Sequence, residues 1–355
     1  MSNLQRLQAR IAKEGFPTVL LSDPTNVGWA TGFTGSFGYA VIGVDKAIFI
    51  TDSRYAIQAR EQVKGYDVHT FAAPMTGAKF LGQVMAENGV TEVGFESETV
   101  TVSTLQGWEA AVPNVKFRPL AGIVGPVRQI KTAEEQDKLR KACKIADATY
   151  EHMRKVIRAG VTEYDLLLEL EFFIRRQHAP LAFDAIVVSG PNSARPHGKS
   201  TDRVLVDGDF LTMDFGADYQ GYKSDITRTV VIGKATDRHK EIYNQVLKSQ
   251  LASIEMMKPG VKGRDVDARC REILDEKGLA KYFGHSLGHG LGIAVHDGGA
   301  LGPSSEIVLE EGQVWTVEPG VYIEGYGGVR IENDVVVTST GVEIFDTSTK
   351  ELLEF

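Results

Sequence analysis

The 355-residue sequence predicts an α+β protein of two domains, a smaller N-terminal α/β domain and a larger C-terminal domain made of two similar halves. Three observations predict it. The chain is too long for one ordinary domain and suits two. Short strands and helices alternate up to about residue 122, whereas beyond it long amphipathic helices are separated by strands with glycine turns. Finally, Arg158-Ala-Gly-Val-Thr-Glu-Tyr-Asp165 is echoed by Lys258-Pro-Gly-Val-Lys-Gly-Arg-Asp265, and both lead into a helix.

In the first domain, residues 1–122, helical spacing over 4–13 is followed by a strand over 18–22, closed by Asp23-Pro24. Apolar runs over 39–44 and 47–51 meet at Asp45-Lys46, which predicts a hairpin. Residues 55–63 then suit a helix, with Asp52 as its N-cap. No ligand-type residues cluster here. Residues 123–132, with Gly125-Pro126, suit a linker. The second domain, residues 133–355, opens on a capping box from Thr132 to Glu135, and its first helix is expected to run toward Arg158. Further helices are expected over 163–177, 237–257 and 265–277.

The repeat extends past the helices. Phe-, Gly- and His-bearing stretches, 183–198 and 283–298, each precede a strand pair, at 206–216 and 309–320. Aligning Gly208 with Gly312 places Asp214 opposite Glu318. Two halves that each deliver one carboxylate from the same place imply a shared site.

Composition sets limits. A hydrophobic fraction of 43% and a charged fraction of 24% are those of a globular protein. A net charge of -8 argues against nucleic acid or an anionic membrane as partner. No run approaches the roughly 18 apolar residues of a membrane span. The N-terminal residues lack the apolar core of a secretion signal, so a cytoplasmic location is expected. Cys143 and Cys270 are far apart and outside any CxxC pattern, which suits idle thiols in a reducing compartment.

The chemistry concentrates in the acidic residues of the second domain. Asp214 interrupts an apolar strand, where a bare carboxylate is costly to bury. Asp225 lies in the next strand-like run, and turn residues at 217–221 let a hairpin bring the two aspartates face to face. The second half repeats the pattern, with Glu318 in a strand, residues 325–328 as the turn, and Glu332 beyond. Four carboxylates on paired strands repel unless cations lie among them. His289, in the glycine-rich run from His285 to His296, adds an imidazole. Oxygen ligands with one imidazole suit Mn²⁺, Co²⁺ or Zn²⁺. Two such ions roughly 3.5–4 Å apart generate a hydroxide at neutral pH that can attack an amide carbonyl. Single residues of these types usually have ordinary roles, and His69, His152, His178 and His239 are assigned to the surface or the core. Order and grouping distinguish the others. The Gly288-His-Gly-Leu-Gly292 run lacks the Lys-Ser/Thr ending of a phosphate loop.

Three segments together resemble the metallopeptidases of the pita-bread fold, which include aminopeptidase P, prolidase and methionine aminopeptidase. They are Asp214-Phe-Gly-Ala with Gly221-Tyr-Lys-Ser-Asp225-Ile-Thr-Arg, His285-Ser-Leu-Gly-His289-Gly-Leu-Gly with His296-Asp, and Thr316-Val-Glu318-Pro-Gly320 with Gly328-Val-Arg330-Ile-Glu332. In the first domain, Thr31-Gly-Phe-Thr-Gly-Ser36 and Thr51-Asp-Ser-Arg-Tyr55 are similar to the N-terminal domain shared by aminopeptidase P, prolidase and creatinase. The resemblance covers nearly the whole chain. It implies a C-terminal pita-bread domain with pseudo-twofold halves behind a creatinase-like α/β domain, and a homodimer.

The resemblance also implies roles. Asp214, Asp225, His289, Glu318 and Glu332 would hold two divalent ions, Mn²⁺ first, with Glu332 bridging and Glu318 also accepting a proton from the attacking water. His197 and His296 would contact substrate and stabilise the tetrahedral intermediate, while His285 and Arg330 match supporting or substrate-side positions. The implied substrates are peptides with proline second. The residues between 297 and 305 contain no base to fix a dipeptide's free carboxylate, Ala300 standing at the position of interest. That favours an Xaa-Pro aminopeptidase over an Xaa-Pro dipeptidase. A non-catalytic binding protein on the same fold is a distant alternative.

Overall fold

The computed structural model describes residues 1–16 and 18–355. It divides into two compact units, Met1–Arg128 and Gln129–Phe355. The division falls within the span read as a linker, part of which is the short helix Gly125–Gln129.

The first unit is a six-stranded sheet with helices. Its strands are β1 (Thr18–Leu21), β2 (Tyr39–Gly43), β3 (Ala47–Asp52), β4 (Asp67–Phe71), β5 (Glu92–Glu96) and β6 (Lys116–Leu120), in the order β4-β3-β2-β1-β5-β6. The hairpin forms as expected, with Ile42 opposite Ala47. The expected first helix is Asn3–Glu14, entered through a Ser2–Gln5 capping box. Asp52 does act as a cap, but of the 3₁₀ turn Ser53–Tyr55, and the α-helix begins only at Ala56. The Arg54 amide and guanidinium both turn back onto the Asp52 carboxylate, which ends the strand in a tight turn before the helix starts.

The second unit repeats one design twice. Its long helices are α1 (Ala133–Met153), α2 (Glu163–Arg176), α3 (Asp237–Met256) and α4 (Gly263–Asp275). The Thr132–Glu135 capping box is present. The first helix stops at Met153, short of Arg158, and α4 starts at Gly263, ahead of Asp265. Both differences have one cause. Gly160 and Gly260 sit at φ 88° and 89°, a conformation that favours glycine. Their amides bond to Leu205 O and Leu309 O, each at 2.8–3.0 Å, and the following residues bridge the same segments, Thr162 to Val204 and Lys262 to Val308. The chain must leave the helix to make these bridges and re-enters the next one directly after them. The internal repeat seen in the sequence is thus a repeat of hydrogen bonding.

In the first half, β7 (Ile186–Ser189), β8 (Phe210–Phe215) and β11 (Ile226–Val231) form a sheet in the order β11-β8-β7, extended at one end by the small pair β9 (Asp218–Tyr219) and β10 (Tyr222–Lys223). In the second half, β12 (Gly288–His289) pairs with β13 (Ala300–Leu301), and β15 (Gly320–Ile323) with β16 (Gly327–Arg330). The strands β14 (Val314–Val317), β17 (Asn333–Val337) and β18 (Val342–Ile344) form a three-stranded sheet in the order β14-β17-β18.

Side chains alternate between the faces of a strand, and here that alternation separates core from site. Leu211, Met213 and Phe215 of β8 join Leu166, Leu170 and Ile174 of α2 in one core. Trp315 and Val317 of β14 join Ile242 and Val246 of α3 and Val266 and Leu274 of α4 in another. The residues between them on the strands, Thr212, Asp214 and Thr316, point the other way. No helix among the described residues is long and apolar enough to cross a membrane. Cys143 and Cys270 are free and buried.

Leu170 is fully buried and Leu168, on the same helix, is 37% exposed. Replacing Leu170 with Ala is expected to cost about 2–5 kcal/mol, and Leu168→Ala no more than about 0.5 kcal/mol. Urea denaturation followed by circular dichroism compares the two.

Candidate metal centre

Each site residue is placed by strand pairing. In the first half Asp214 stands opposite Thr227 across β8 and β11, and Asp225 immediately precedes β11 on the same face. The two aspartates are therefore diagonal neighbours, not directly face to face as the hairpin argument predicts. In the second half Glu318 lies in the break between β14 and β15, rather than in a strand, and Glu332 in the break between β16 and β17. The intervening turn is residues 324–326, with Gly327 and Gly328 already in β16.

His289 is brought in by the short strand β12. Its amide donates to Thr316 Oγ1 at 3.0 Å, and that hydroxyl donates to Glu318 Oε1 at 3.3 Å. Only glycine can precede it, because a Cβ on Gly288 would stand 2.0 Å from the Thr316 carbonyl oxygen. Asp225, His289 and Glu332 each offer a ligand atom within 4.8 Å of one another. The five expected residues and His197, His285, His296 and Arg330 all line one cavity of about 930 Å³.

The chemistry of the donor set fits divalent cations. His289 Nδ1 donates to Gly290 O at 3.1 Å, so Nε2 carries the lone pair. That lone pair faces Asp225 Oδ2 at 3.6 Å and Glu318 Oε1 at 3.5 Å, an arrangement suited to a shared cation. Burial, ahead of other causes, holds His289 down at about 4, so the ring does not supply the missing positive charge near neutrality. Among the described residues, Asp214 Oδ1 is buried without a hydrogen-bond partner. Burial first, then the neighbouring carboxylates, pushes Asp225 and Glu332 far above the usual carboxylate range, and Glu318 to about 8. The polypeptide alone leaves this cluster short of positive charge; cations among the oxygens relieve it.

Several groups hold the cluster that the sequence reading did not single out. Thr227 Oγ1 donates to Glu332 Oε2 at 2.5 Å and accepts from Arg330 Nε at 2.9 Å. Thr227 and Thr316 stand two residues from Asp225 and Glu318, on the same strand faces, and that spacing is the signal that could have found them. Behind the site, Asp334 accepts the Asp225 amide at 2.9 Å and the Cys143 thiol at 3.2 Å. Arg228 donates to the carbonyls of both Thr227 and Glu332 and pairs with Asp346 at 2.8 Å.

Arg330 spends its guanidinium on Asp214 (2.5 Å), Thr227, Tyr322 OH (2.8 Å) and Pro196 O (3.3 Å). Tyr322 OH in turn meets His285 Nε2 at 2.9 Å, while His285 Nδ1 donates to Ser286 O at 2.7 Å. Both ring nitrogens of His285 are thus engaged within the protein, and burial holds its pKa down at about 4. His197 and His296 are exposed on the cavity wall, His296 stacked edge-on against His289 with ring centroids 4.3 Å apart. The other histidines keep ordinary roles. His69 pairs with Asp67, His152 with Glu169, and His239 completes a capping box with Thr236.

Residues 137–339 match the sequence model of metallopeptidase family M24, and residues 3–130 match that of the creatinase/prolidase N-terminal domain. The chain is 33% identical over 354 residues to the Xaa-Pro dipeptidase of Pyrococcus furiosus, covering 99% of each. Among solved structures it is similar to an Xaa-Pro dipeptidase from Bacillus anthracis, with TM-score 0.95, 43% identity and 99% of each chain covered. It is also similar to an X-Pro aminopeptidase from Thermotoga maritima, with TM-score 0.92, 36% identity and full coverage of both.

Arg228 and Asp346 are both fully buried, with side chains 1% and 0% exposed. Removing one member of such a pair leaves a charge without its partner. Asp346→Ala is expected to cost about 3–5 kcal/mol in urea denaturation.

Proposed function

The chain belongs to metallopeptidase family M24, and on that premise we propose that it is an Xaa-Pro aminopeptidase, removing the residue ahead of proline from short peptides. It is a metallo-exopeptidase. The observation that carries the reading is the convergence of Asp214, Asp225, His289, Glu318 and Glu332 on one open cavity, as oxygen and imidazole donors lacking positive charge. These five residues would hold two divalent ions; the donor set suits Mn²⁺, Co²⁺ or Zn²⁺, with Mn²⁺ foremost by the family resemblance. Ions bound there supply Lewis-acid polarisation of the scissile carbonyl and acidify water.

The residues of the chain do the rest. Glu318, oriented by Thr316, accepts the proton of the attacking water and can return it to the leaving nitrogen. A bond to proline is a tertiary amide without an N–H, so protonation of the ring nitrogen is needed for it to leave. His197 and His296, exposed on the wall, donate toward the oxygen that becomes negative in the tetrahedral state. Arg330, Tyr322 and His285 form a relay of hydrogen bonds that fixes Asp214 and the wall beside it. Phe183, Ile186 and Val295 give the cavity an apolar side suited to a proline ring.

Acceptance of residues beyond proline rests on Ala300. It lines the cavity at the position where the family resemblance puts a dipeptidase's cation, and Arg330 is committed to four protein partners. The names of the relatives from Pyrococcus furiosus and Bacillus anthracis favour the second reading, an Xaa-Pro dipeptidase. The proposal includes a homodimer in a cytoplasmic setting, the former checked by light scattering.

Mn²⁺-loaded protein is expected to hydrolyse Xaa-Pro-Yaa faster than Xaa-Pro, with chelation abolishing both activities and lowering the melting temperature. Faster cleavage of Xaa-Pro would establish the dipeptidase, and no cleavage of either across Mn²⁺, Co²⁺ and Zn²⁺ would refute the peptidase reading. Thr227→Val removes the hydroxyl that orients Glu332. It is expected to weaken metal binding about 10–100-fold, read by competition with a fluorescent chelator.

A further inference from the structure

The cavity carries two arginines, and only one of them is spent. Arg330 is bonded on all sides, whereas Arg195 lines the same cavity, is exposed, and among the described residues makes no side-chain hydrogen bond or ion pair. Its backbone is not loose. The Arg195 amide donates to Asn192 O at 3.1 Å, and the Gly198 amide to Arg195 O at 2.9 Å. Arg330 holds the next carbonyl, Pro196 O, at 3.3 Å, tying this loop to the residue that grips Asp214.

The loop is anchored from below as well. Glu163 is fully buried, and its carboxylate accepts from the Ser189 amide and hydroxyl, the Asn192 side chain, and the Thr201 amide and hydroxyl, at 2.6–3.0 Å. Ser193 Oγ accepts the Gly328 amide at 2.8 Å, joining the loop to β16. A free guanidinium is thereby held on a fixed backbone, two residues from His197, at the exposed wall of a cavity whose deeper part is lined by carboxylates. Holding the backbone in advance reduces what must be ordered when a ligand arrives. A guanidinium recognises a carboxylate by paired N–H donors.

We propose that Arg195 is a specificity-determining residue that receives a substrate carboxylate on the leaving-group side of the scissile bond. This rests on the peptidase reading above. The carboxylate is that of the third residue in Xaa-Pro-Yaa, because Arg195 stands on the exposed wall and not among the buried groups around the reacting carbonyl. The enzyme then prefers tripeptides with a free C-terminus, since amidation removes the charge the guanidinium recognises.

The test measures kcat/KM of the Mn²⁺-loaded enzyme on Xaa-Pro, Xaa-Pro-Yaa and Xaa-Pro-Yaa-amide, with wild type, Arg195→Leu and Arg195→Lys. Wild type is expected to prefer the tripeptide acid to its amide about tenfold, mainly through KM. Arg195→Leu is expected to abolish that preference and Arg195→Lys to keep part of it. Competitive inhibition by Pro-Yaa against Pro-Yaa-amide should lose its discrimination in the same variant, a readout independent of turnover. Retention of the acid preference in Arg195→Leu would overturn the assignment. So would a loss confined to Xaa-Pro, which would place the carboxylate on proline itself. No hydrolysis of any of the three by wild type would instead sink the peptidase reading, and this inference with it.

Discussion

The structure is organised around a deficit of positive charge. Four carboxylates and an imidazole lone pair are gathered at the base of one cavity, and among the described residues they are given only Arg330 and two threonine hydroxyls. Like charges this close cannot all be ionised without cations. A protein can keep such a cluster only if the surrounding bonds prevent the oxygens from moving apart or turning to water. Much of the hydrogen bonding in the second unit does this. Arg228 holds the backbone on both sides, Asp334 holds the Asp225 amide, and Thr316 fixes His289 and Glu318 together.

The two halves share a frame but not a ligand set. The Gly208 amide bonds to Ile232 O, and the Gly312 amide to Val337 O. Superposing those pairs puts Asp214 on Glu318, and puts Thr227 on Glu332 and Asp225 on Arg330. Only the first carboxylates are therefore equivalent. At the second positions the halves differ in chemistry, and the unlike residues bond across the site, Thr227 to Glu332 and Arg330 to Asp214. Symmetry on the pattern of the first half would give four acidic groups and no guanidinium, and on the pattern of the second four acidic groups and two guanidiniums. The departure from it gives four acidic groups and one organising guanidinium.

The sequence conveyed what depends on neighbours in the chain. Capping boxes, the hairpin at Asp45-Lys46 and the four long helices follow local rules, and the repeat was legible because its glycines need left-handed backbone. Asp214 was legible because charge inside an apolar strand is costly, and Asp225, Glu318 and Glu332 by their order and grouping. Groups whose role arises from pairing between distant segments were not. Arg228 reads as an ordinary strand residue until β11 meets the segment around Asp346. Glu163 reads as a first-turn helix acid, and nothing local shows that it gathers a loop as far away as Thr201. The end of the first long helix was overestimated for the same reason, since the bridge from Thr162 to Val204 ends it.

Two buried acids near the starts of α2 and α4 suggest why chemistry and selectivity can be separated in this architecture. Glu163 gathers the loop bearing Arg195 and His197. Asp267 accepts the Leu287 amide at 3.2 Å and binds Arg271, which holds the His285 carbonyl. Each wall of the cavity is thus fixed by an anchor outside the metal cluster. Side chains that project from those walls, such as Arg195, Val295 and Ala300, can then differ without disturbing the carboxylates below. On the proposed reading, selectivity is set by the walls, whereas whether an amide is hydrolysed at all is set by the charge at the base.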